Sequence, residues 1–512
     1  MSAASPVLEQ ATNDHDRHFR TDHLMADLKG RSVRGGAITL AAQAVKFVLQ
    51  LGSTVILARL LTPADFGLVA MVTAITGFVA MFKDLGLSQA TVQRATINQQ
   101  QVSTLFWINV ALSAALMALV AGLSPLVAWF YGDDRLVGIT LALAGEFIFG
   151  GLTVQHGALL TRQMRFRALA IIDILSFTAG VAAALGMAWM GLGYWALVGM
   201  PAGQAVANCL LVWIASGWTP GRPARGSGVR EMLKFGGNLA GFNLVNYFSR
   251  NADNVLIGRF WGDAALGIYT WAYQLMMLPI SHIAGPIQQV GVNTLSRLVS
   301  RPDDFARYYL QALNRICWAT APMVAILLVC APEVVRILLG PGWESAARVF
   351  QILGITAFFQ PIYTTIGWVF VSTGRTDRFL RWSLMAMPIT VAGFVGGLRW
   401  GVEGVAWGYA IAFCVGVLPW TFPYTFRGTH LTVRAMVRHL AAPYAFAAVA
   451  LISGFLIRPR IDHSAPVVLV ATSLFGVLCA VAVTMVIAPM RRDAARLLNS
   501  LVSLLPSRPV IA

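Results

Sequence analysis

The chain has 512 residues, of which 57% are hydrophobic and only 12% charged, and it carries a net charge of +16 with a mean hydropathy of +0.67. So apolar a composition argues against a soluble enzyme or nucleic-acid-binding domain. Apolar runs about 20 residues long recur throughout, the length a helix needs to cross a bilayer core.

The first 33 residues are polar, show no signal-peptide pattern and read as a cytoplasmic N-terminal segment, 1–33. Fourteen candidate spans follow, at 36–58, 66–83, 103–130, 136–158, 167–190, 193–216, 235–258, 265–294, 309–331, 346–372, 380–398, 403–425, 439–457 and 465–488. The fold class is an all-α polytopic membrane protein. Placing the N-terminus in the cytoplasm puts 28 of the 38 Lys and Arg residues on inward-facing segments and eight on outward loops. That bias is the positive-inside rule; it favours an even number of spans, with both termini cytoplasmic. The basic surplus therefore reads as an orientation signal rather than a nucleic-acid footprint. Two cations, Lys46 and Arg250, fall inside spans.

A repeat at an offset of 200 organises the spans. VILARLLTPADFGLV (Val55 to Val69) lies over VLIGRFWGDAALGIY (Val255 to Tyr269), matching Arg59 with Arg259, Gly67 with Gly267 and Gly36 with Gly236. The expected organisation is a first six-helix lobe at 34–216, a cytoplasmic linker at 217–232, a second six-helix lobe at 233–426 and two further spans at 427–488. Two like-oriented lobes around a central cavity suit alternating access. In the tail, 489–512, MRRDAARLLNSLVSLL sets arginines against leucines, as in a helix lying on the cytoplasmic interface.

Within span 7, Asn243 falls on one helical face with Asn246, Arg250 and Asp253, and with Asn254, of the stretch NYFSRNADNVLIGRF that begins at Asn246. Two hundred residues earlier, Gln43, Lys46, Gln50 and Ser53 form the matching stripe on span 1. An Arg or Asp near the bilayer centre costs about 2.5–3.5 kcal/mol on insertion scales, so such faces should line a wet cavity between the lobes. Alternatively, Arg250 and Asp253, three residues apart, simply neutralise each other.

Glu146, deep in span 4, is the most isolated carboxylate and could carry a proton or pair with a cation. Asp173 is expected to anchor span 5 near Arg165 and Arg167, and His156 to sit at an interfacial helix end. His282, between Pro279 and Pro286, should be packed in a kinked helix. The five cysteines fall in spans without CxxC spacing and read as small packing residues, implying neither disulfide nor metal. HExxH, P-loop and GxSxG motifs are lacking, so no enzyme activity and no cofactor are expected.

The stretches LARLLTPADFGLVAMV, DLGLSQATVQR, STLFWINV, QHGALLTRQMRF, GYWALV, RNADNVLIGRF and GWVFVSTGRTDRFLRW resemble the polysaccharide-transport branch of the multidrug/oligosaccharidyl-lipid/polysaccharide flippase superfamily. The match is to Wzx-type exopolysaccharide exporters, similar to those for colanic acid and succinoglycan, and runs from about Arg34 to Arg381. The resemblance implies translocation of an undecaprenyl-pyrophosphate-linked oligosaccharide across the bacterial inner membrane, with Lys46 and Arg250 meeting the pyrophosphate. Asn243, Asn246, Gln43 and Gln50 would then contact substrate, and Asp253 and Glu146 would serve ion coupling or charge pairing. It further implies membrane lipid around the chain, proton or sodium as the coupling ion, and a polysaccharide polymerase and glycosyltransferases acting in the same pathway. A multidrug antiporter of the same superfamily is the rival reading. A membrane polymerase or ligase would want a large periplasmic loop or an acidic catalytic motif, and neither is evident.

Overall fold

In a computed structural model of the chain, the described residues are 19, 28–83, 87–94, 96–224, 230–461 and 463–502. All regular structure among them is helical. The chain divides into two compact units, Met1–Gly267 and Ile268–Ala512.

The first unit holds α1 (Leu28–Leu60), α2 (Pro63–Ala80), α3 (Leu87–Gln93), α4 (Gln99–Tyr131), α5 (Arg135–Ala144), α6 (Glu146–Arg162), α7 (Phe166–Trp189), α8 (Trp195–Ser216) and the opening part of α9 (Arg230–Leu298). Local chemistry sets the boundaries. Thr62 and Asp65 form a capping box at the start of α2, with Pro63 in the first turn, where its missing N–H costs nothing. Asn98 and Gln101 do the same for α4, which then runs 33 residues, about 50 Å at 1.5 Å per residue, and overhangs any bilayer core. The start of the expected linker is strapped onto that overhang. Trp218 is buried and its Nε1 donates to Gln99 Oε1 at 2.6 Å, while the Gly221 and Ala224 amides donate to Ser103 Oγ (2.9 Å) and Thr104 Oγ1 (3.1 Å).

The helix α9 contains both expected spans 235–258 and 265–294. It is broken at Gly262, whose φ of 81° and ψ of −173° interrupt the helical ladder. Immediately beyond this break the repeat-matched glycines pack reciprocally. A Cβ on Gly67 would strike the carbonyl of Asp263, and one on Gly267 would strike the carbonyl of Pro63. Each glycine is thus needed where the other repeat's turn backbone approaches it. Arg135 clamps the same place, donating to Asp133 Oδ2 at 2.6 Å and to Asp263 Oδ2 at 3.0 Å. These bonds hold the Asp133 carboxyl, which lies in the turn between α4 and α5, below its ordinary range.

The second unit comprises the remainder of α9, then α10 (Pro302–Val329), α11 (Ala331–Leu338), α12 (Glu344–Ala357), α13 (Gln360–Thr364), α14 (Ile366–Ser372), α15 (Thr376–Gly397), α16 (Gly401–Ile411), α17 (Leu418–Phe426), α18 (Val433–Ile457), α19 (Ala465–Val486) and α20 (Ala488–Val502). Its core is aromatic: Tyr309, Trp368, Phe370 and Trp382 are buried together. Two of the polar tips find partners, Tyr309 Oη with Thr365 Oγ1 at 2.9 Å and Trp382 Nε1 with Thr421 Oγ1 at 3.1 Å, whereas Trp368 Nε1 is buried without one among the described residues. The tail helix α20 is fastened by Asp493, which accepts from Asn314 Nδ2 and Trp318 Nε1, both at 3.0 Å.

Among the described residues, ten helical segments are long and apolar enough to cross a membrane. A further pair, Glu344–Ala357 with Gln360–Ser372, forms one more if its 53° bend lies within a single span. Expected spans 11 and 12 share the segment Thr376–Phe426. Expected span 4 is likewise Arg135–Arg162, two helices meeting at Gly145.

Candidate functional site

Lys46 does not stand alone on its stripe. Its Nζ donates to Asp173 Oδ1 at 2.7 Å, joining α1 to α7 across 127 positions of sequence. The pair is incompletely shielded, with side chains 24% and 35% exposed. Phe177, one turn beyond Asp173, lies with its ring centroid 5.6 Å from the same ammonium, within cation–π range. Gln43 and Gln50, three residues before and four after Lys46, are exposed on α1. Ser53, the last member of the stripe, is buried and turns its hydroxyl back to the Gln50 carbonyl at 3.0 Å.

Asp173, expected to anchor span 5 near Arg165 and Arg167, finds its partner elsewhere. Asp173 takes Lys46, and Arg165 instead donates to the Ala215 carbonyl at 2.7 Å. Proximity along one helix was outweighed by a tertiary contact that satisfies both charges inside the membrane.

On the matched stripe, the side chains of Asn243, Asn246 and Arg250 lie outside the described residues, as does that of His282. Asp253 is described: it is 4% exposed, and its Oδ1 accepts from the Asn254 amide at 2.9 Å. This part of α9 is held on α2 by Tyr247, whose hydroxyl donates to the carbonyls of Thr73 (3.2 Å) and Ala74 (2.9 Å). Asn251 Nδ2 donates back to the Tyr247 carbonyl at 3.0 Å.

Glu146 opens α6 just after the break at Gly145, and its Oε1 is buried without a hydrogen-bond partner among the described residues. Lys83 acts on it electrostatically and packs so closely over Gly150, one turn along α6, that a Cβ there would overlap the lysine side chain. The glycine makes room for a cation beside a buried carboxylate. Sequence reasoning missed this use of Lys83, which was counted only as a cytoplasmic charge.

His156 is a correction. Rather than facing an interface, it is fully buried, stacked on Trp213 with ring centroids 4.3 Å apart and flanked by Phe106 and Trp218. Two of these rings come from beyond the end of span 5, so no local pattern announces them. Nearby, Arg162 collects the carbonyls of Thr91 (3.1 Å), Val92 (3.4 Å) and Phe19 (3.4 Å), closing this end of the unit with donors that can accept no proton. The cysteines are all free, and among the described residues no three His, Cys, Asp or Glu side chains converge in a metal-holding group.

Helices long and apolar enough to cross a membrane, with charges carried inside them, mark a polytopic membrane protein. Comparison with known proteins narrows that class: residues 56–348 match the model of the family described as polysaccharide biosynthesis protein, and the chain belongs to that family. It is 25% identical over 454 residues to the teichuronic acid biosynthesis protein TuaB of Bacillus subtilis, covering 86% of this chain and 90% of that one. It is 23% identical over 372 residues to the succinoglycan biosynthesis transport protein ExoT of Rhizobium meliloti, covering 70% and 74%. Among solved structures, the lipid II flippase MurJ in an inward closed conformation superposes with a TM-score of 0.70 at 14% identity, over 90% of this chain and 100% of that chain. That likeness establishes that the chain shares the fold of that structure.

Proposed function

We propose that this protein moves an undecaprenyl-pyrophosphate-linked oligosaccharide from the cytoplasmic to the periplasmic leaflet of the bacterial inner membrane, by alternating access and without catalysing a chemical reaction. The family and the printed roles of the relatives support the substrate class. The observation that carries the reading to residues is Lys46, a cation kept inside the membrane beside two exposed glutamines. An ammonium and amides in that setting offer charge-assisted and neutral hydrogen bonds to phosphate and sugar oxygens, while a polyprenyl chain stays in lipid. Arg250, with Asn243 and Asn246, supplies the matching contacts on α9, and Asp253 holds Arg250 in position. Glu146 and Asp253 are the candidates for coupling to proton or sodium. Both termini are cytoplasmic, as the placement of the basic residues supports.

An inside-negative potential assists outward movement of an anion by about 2.3 kcal/mol per charge per 100 mV. A diphosphate bearing two charges would therefore gain roughly 4–5 kcal/mol, less any protein charge that moves with it. The drug-antiporter reading draws on the three deep carboxylates Glu146, Asp173 and Asp253, which would suit a cationic cargo. Deleting the gene separates the two. Loss of exopolysaccharide, with lipid-linked repeat units accumulating in the inner leaflet, is expected; normal polymer together with new sensitivity to cationic dyes would favour the antiporter. At residue level, Arg250→Ala with Asp253→Ala should abolish export at equal expression. Near-normal export by that double variant would reduce the pair to mutual neutralisation.

A further inference from the structure

We infer that Asp173 is an internal competitor for Lys46, an anion of the protein that occupies the ammonium until the diphosphate of a lipid-linked substrate displaces it, and that retakes it on release. The inference rests on the proposed reading of Lys46 as a contact for an anionic headgroup.

Three features of the pair point this way. First, the contact is a single bond at 2.7 Å through one carboxylate oxygen, not a network. Among the described residues Asp173 receives no second side-chain donor; the neighbouring Ser176 hydroxyl turns to the Asp173 backbone carbonyl instead, at 3.3 Å. A carboxylate held only by the cation can leave it without stranding another donor. Second, both partners remain partly accessible, Asp173 more so at 35% against 24% for Lys46. A buried structural pair would be expected to be more closed and more fully hydrogen-bonded. Third, the ammonium keeps a partner when the carboxylate leaves, because the Phe177 face lies 5.6 Å away.

The consequence is a filter on charge. A neutral polyprenol offers nothing to exchange for the carboxylate. A monophosphate offers little more charge than Asp173 itself, whereas a diphosphate offers more charge and more acceptor oxygens, with Gln43 and Gln50 beside it to take the surplus. The competitor also protects turnover: an unopposed lysine in a low-dielectric site would hold a diphosphate too long, and the returning carboxylate shortens that residence. Asp173 is on this view a positioning and specificity-determining residue that need not touch substrate.

The test uses purified full-length protein in nanodiscs, with undecaprenyl pyrophosphate, undecaprenyl phosphate and undecaprenol as probes. Variants are Asp173→Asn, Asp173→Ser, Asp173→Glu, Lys46→Ala and the double Lys46→Ala with Asp173→Asn. Removing the competitor is expected to tighten pyrophosphate binding by about tenfold, the factor that follows if the pair is closed about nine-tenths of the time. Selectivity over the monophosphate should fall, undecaprenol should be unaffected, and export by Asp173→Asn should slow despite the tighter binding. In the Lys46→Ala background the gain should vanish. Unchanged or weaker pyrophosphate binding by Asp173→Asn at wild-type melting temperature would overturn the inference. So would loss of folding in both neutral variants with rescue by Asp173→Glu, which would make the pair a structural staple. If Lys46→Ala itself binds pyrophosphate normally, the underlying reading of Lys46 fails; if it loses binding while Asp173→Asn gains nothing, only the competition fails.

Discussion

In the first unit, Lys46, Glu146, Asp173 and Asp253 all stand within helical segments of an apolar chain. In the second, the described ion pairs gather at helix ends. Arg458, just past α18, donates to Glu333 in the first turn of α11 at 3.0 Å; Arg348, early in α12, meets Glu403 at the start of α16 at 3.1 Å; Asp303 and Asp304 open α10. Charges at helix ends reach headgroups and water, and their pairs serve folding. Three charges in mid-helix, Lys46, Asp173 and Asp253, with Glu146 at a break inside the segment Arg135–Arg162, are another matter, since a charge costs about 2.5–3.5 kcal/mol to insert near the bilayer centre. A unit that needed only stability could replace them with the aromatic packing its neighbour uses. The difference teaches where to look for transport chemistry: in the first unit's charges within spanning segments, not in the second unit's pairs at helix ends.

The largest effect is expected from the reciprocal glycines of the first unit. Gly67→Val or Gly267→Val would drive side-chain carbons into a backbone carbonyl that cannot swing away, at a cost of about 3 kcal/mol. A sharp fall in melting temperature and in folded yield should follow, whereas Gly122→Ala, with nothing within 4 Å of the new carbon, should match or exceed wild type. Equal behaviour of the three would remove the special status of the matched turns.

Next in size is the contrast of pairs. Arg458→Ala leaves the Glu333 carboxylate, 12% exposed, without its bidentate partner and should destabilise by about 1–3 kcal/mol. Export per folded molecule should stay unchanged. Glu146→Gln should do the reverse, keeping the melting temperature within a few degrees and lowering export per molecule, because the neutral amide fits the same space beside Lys83. If Arg458→Ala proved the more damaging to transport at equal abundance, the division of labour between the units would be wrong.

The smallest effect concerns acid. Arg135 holds the Asp133 carboxyl below its unfolded value, so the stabilisation is complete above the ordinary carboxylate range and disappears as pH falls through the lowered one. Arg135 is half exposed, so the contribution should stay below about 1 kcal/mol and fade with salt. Melting curves of wild type and Asp133→Asn should differ at pH 7 and converge at strongly acid pH.

How much of this was legible in the sequence follows from the range of each interaction. Helices were readable because apolarity over about 20 residues is a local property, whereas the expected starts at 66 and 103 fell inside the helices, which begin at the capping residues Thr62 and Asn98. The repeat told which glycines correspond, but not that Gly67 and Gly267 press on each other's turns; that depends on how two helical hairpins meet. Lys46 was singled out for its depth, and Asp173 was read beside Arg165 and Arg167 because its partner is 127 positions away. His156 failed for the same reason, its cage being assembled from α4, α8 and the strap after it. Residues that act through tertiary contacts leave no periodic trace, and a lone charge in an apolar run is the nearest signal to one.

The most direct test of the central claim is translocation of a fluorescent oligosaccharide-diphospho-undecaprenol in proteoliposomes, comparing wild type, Lys46→Arg and Lys46→Ala at equal reconstitution. The account expects Lys46→Arg to keep part of the activity, since the charge remains while its geometry changes, and Lys46→Ala to fall at least tenfold with its melting temperature little altered. Wild-type translocation by Lys46→Ala would contradict the claim that the first unit's half-buried cation handles the anionic headgroup.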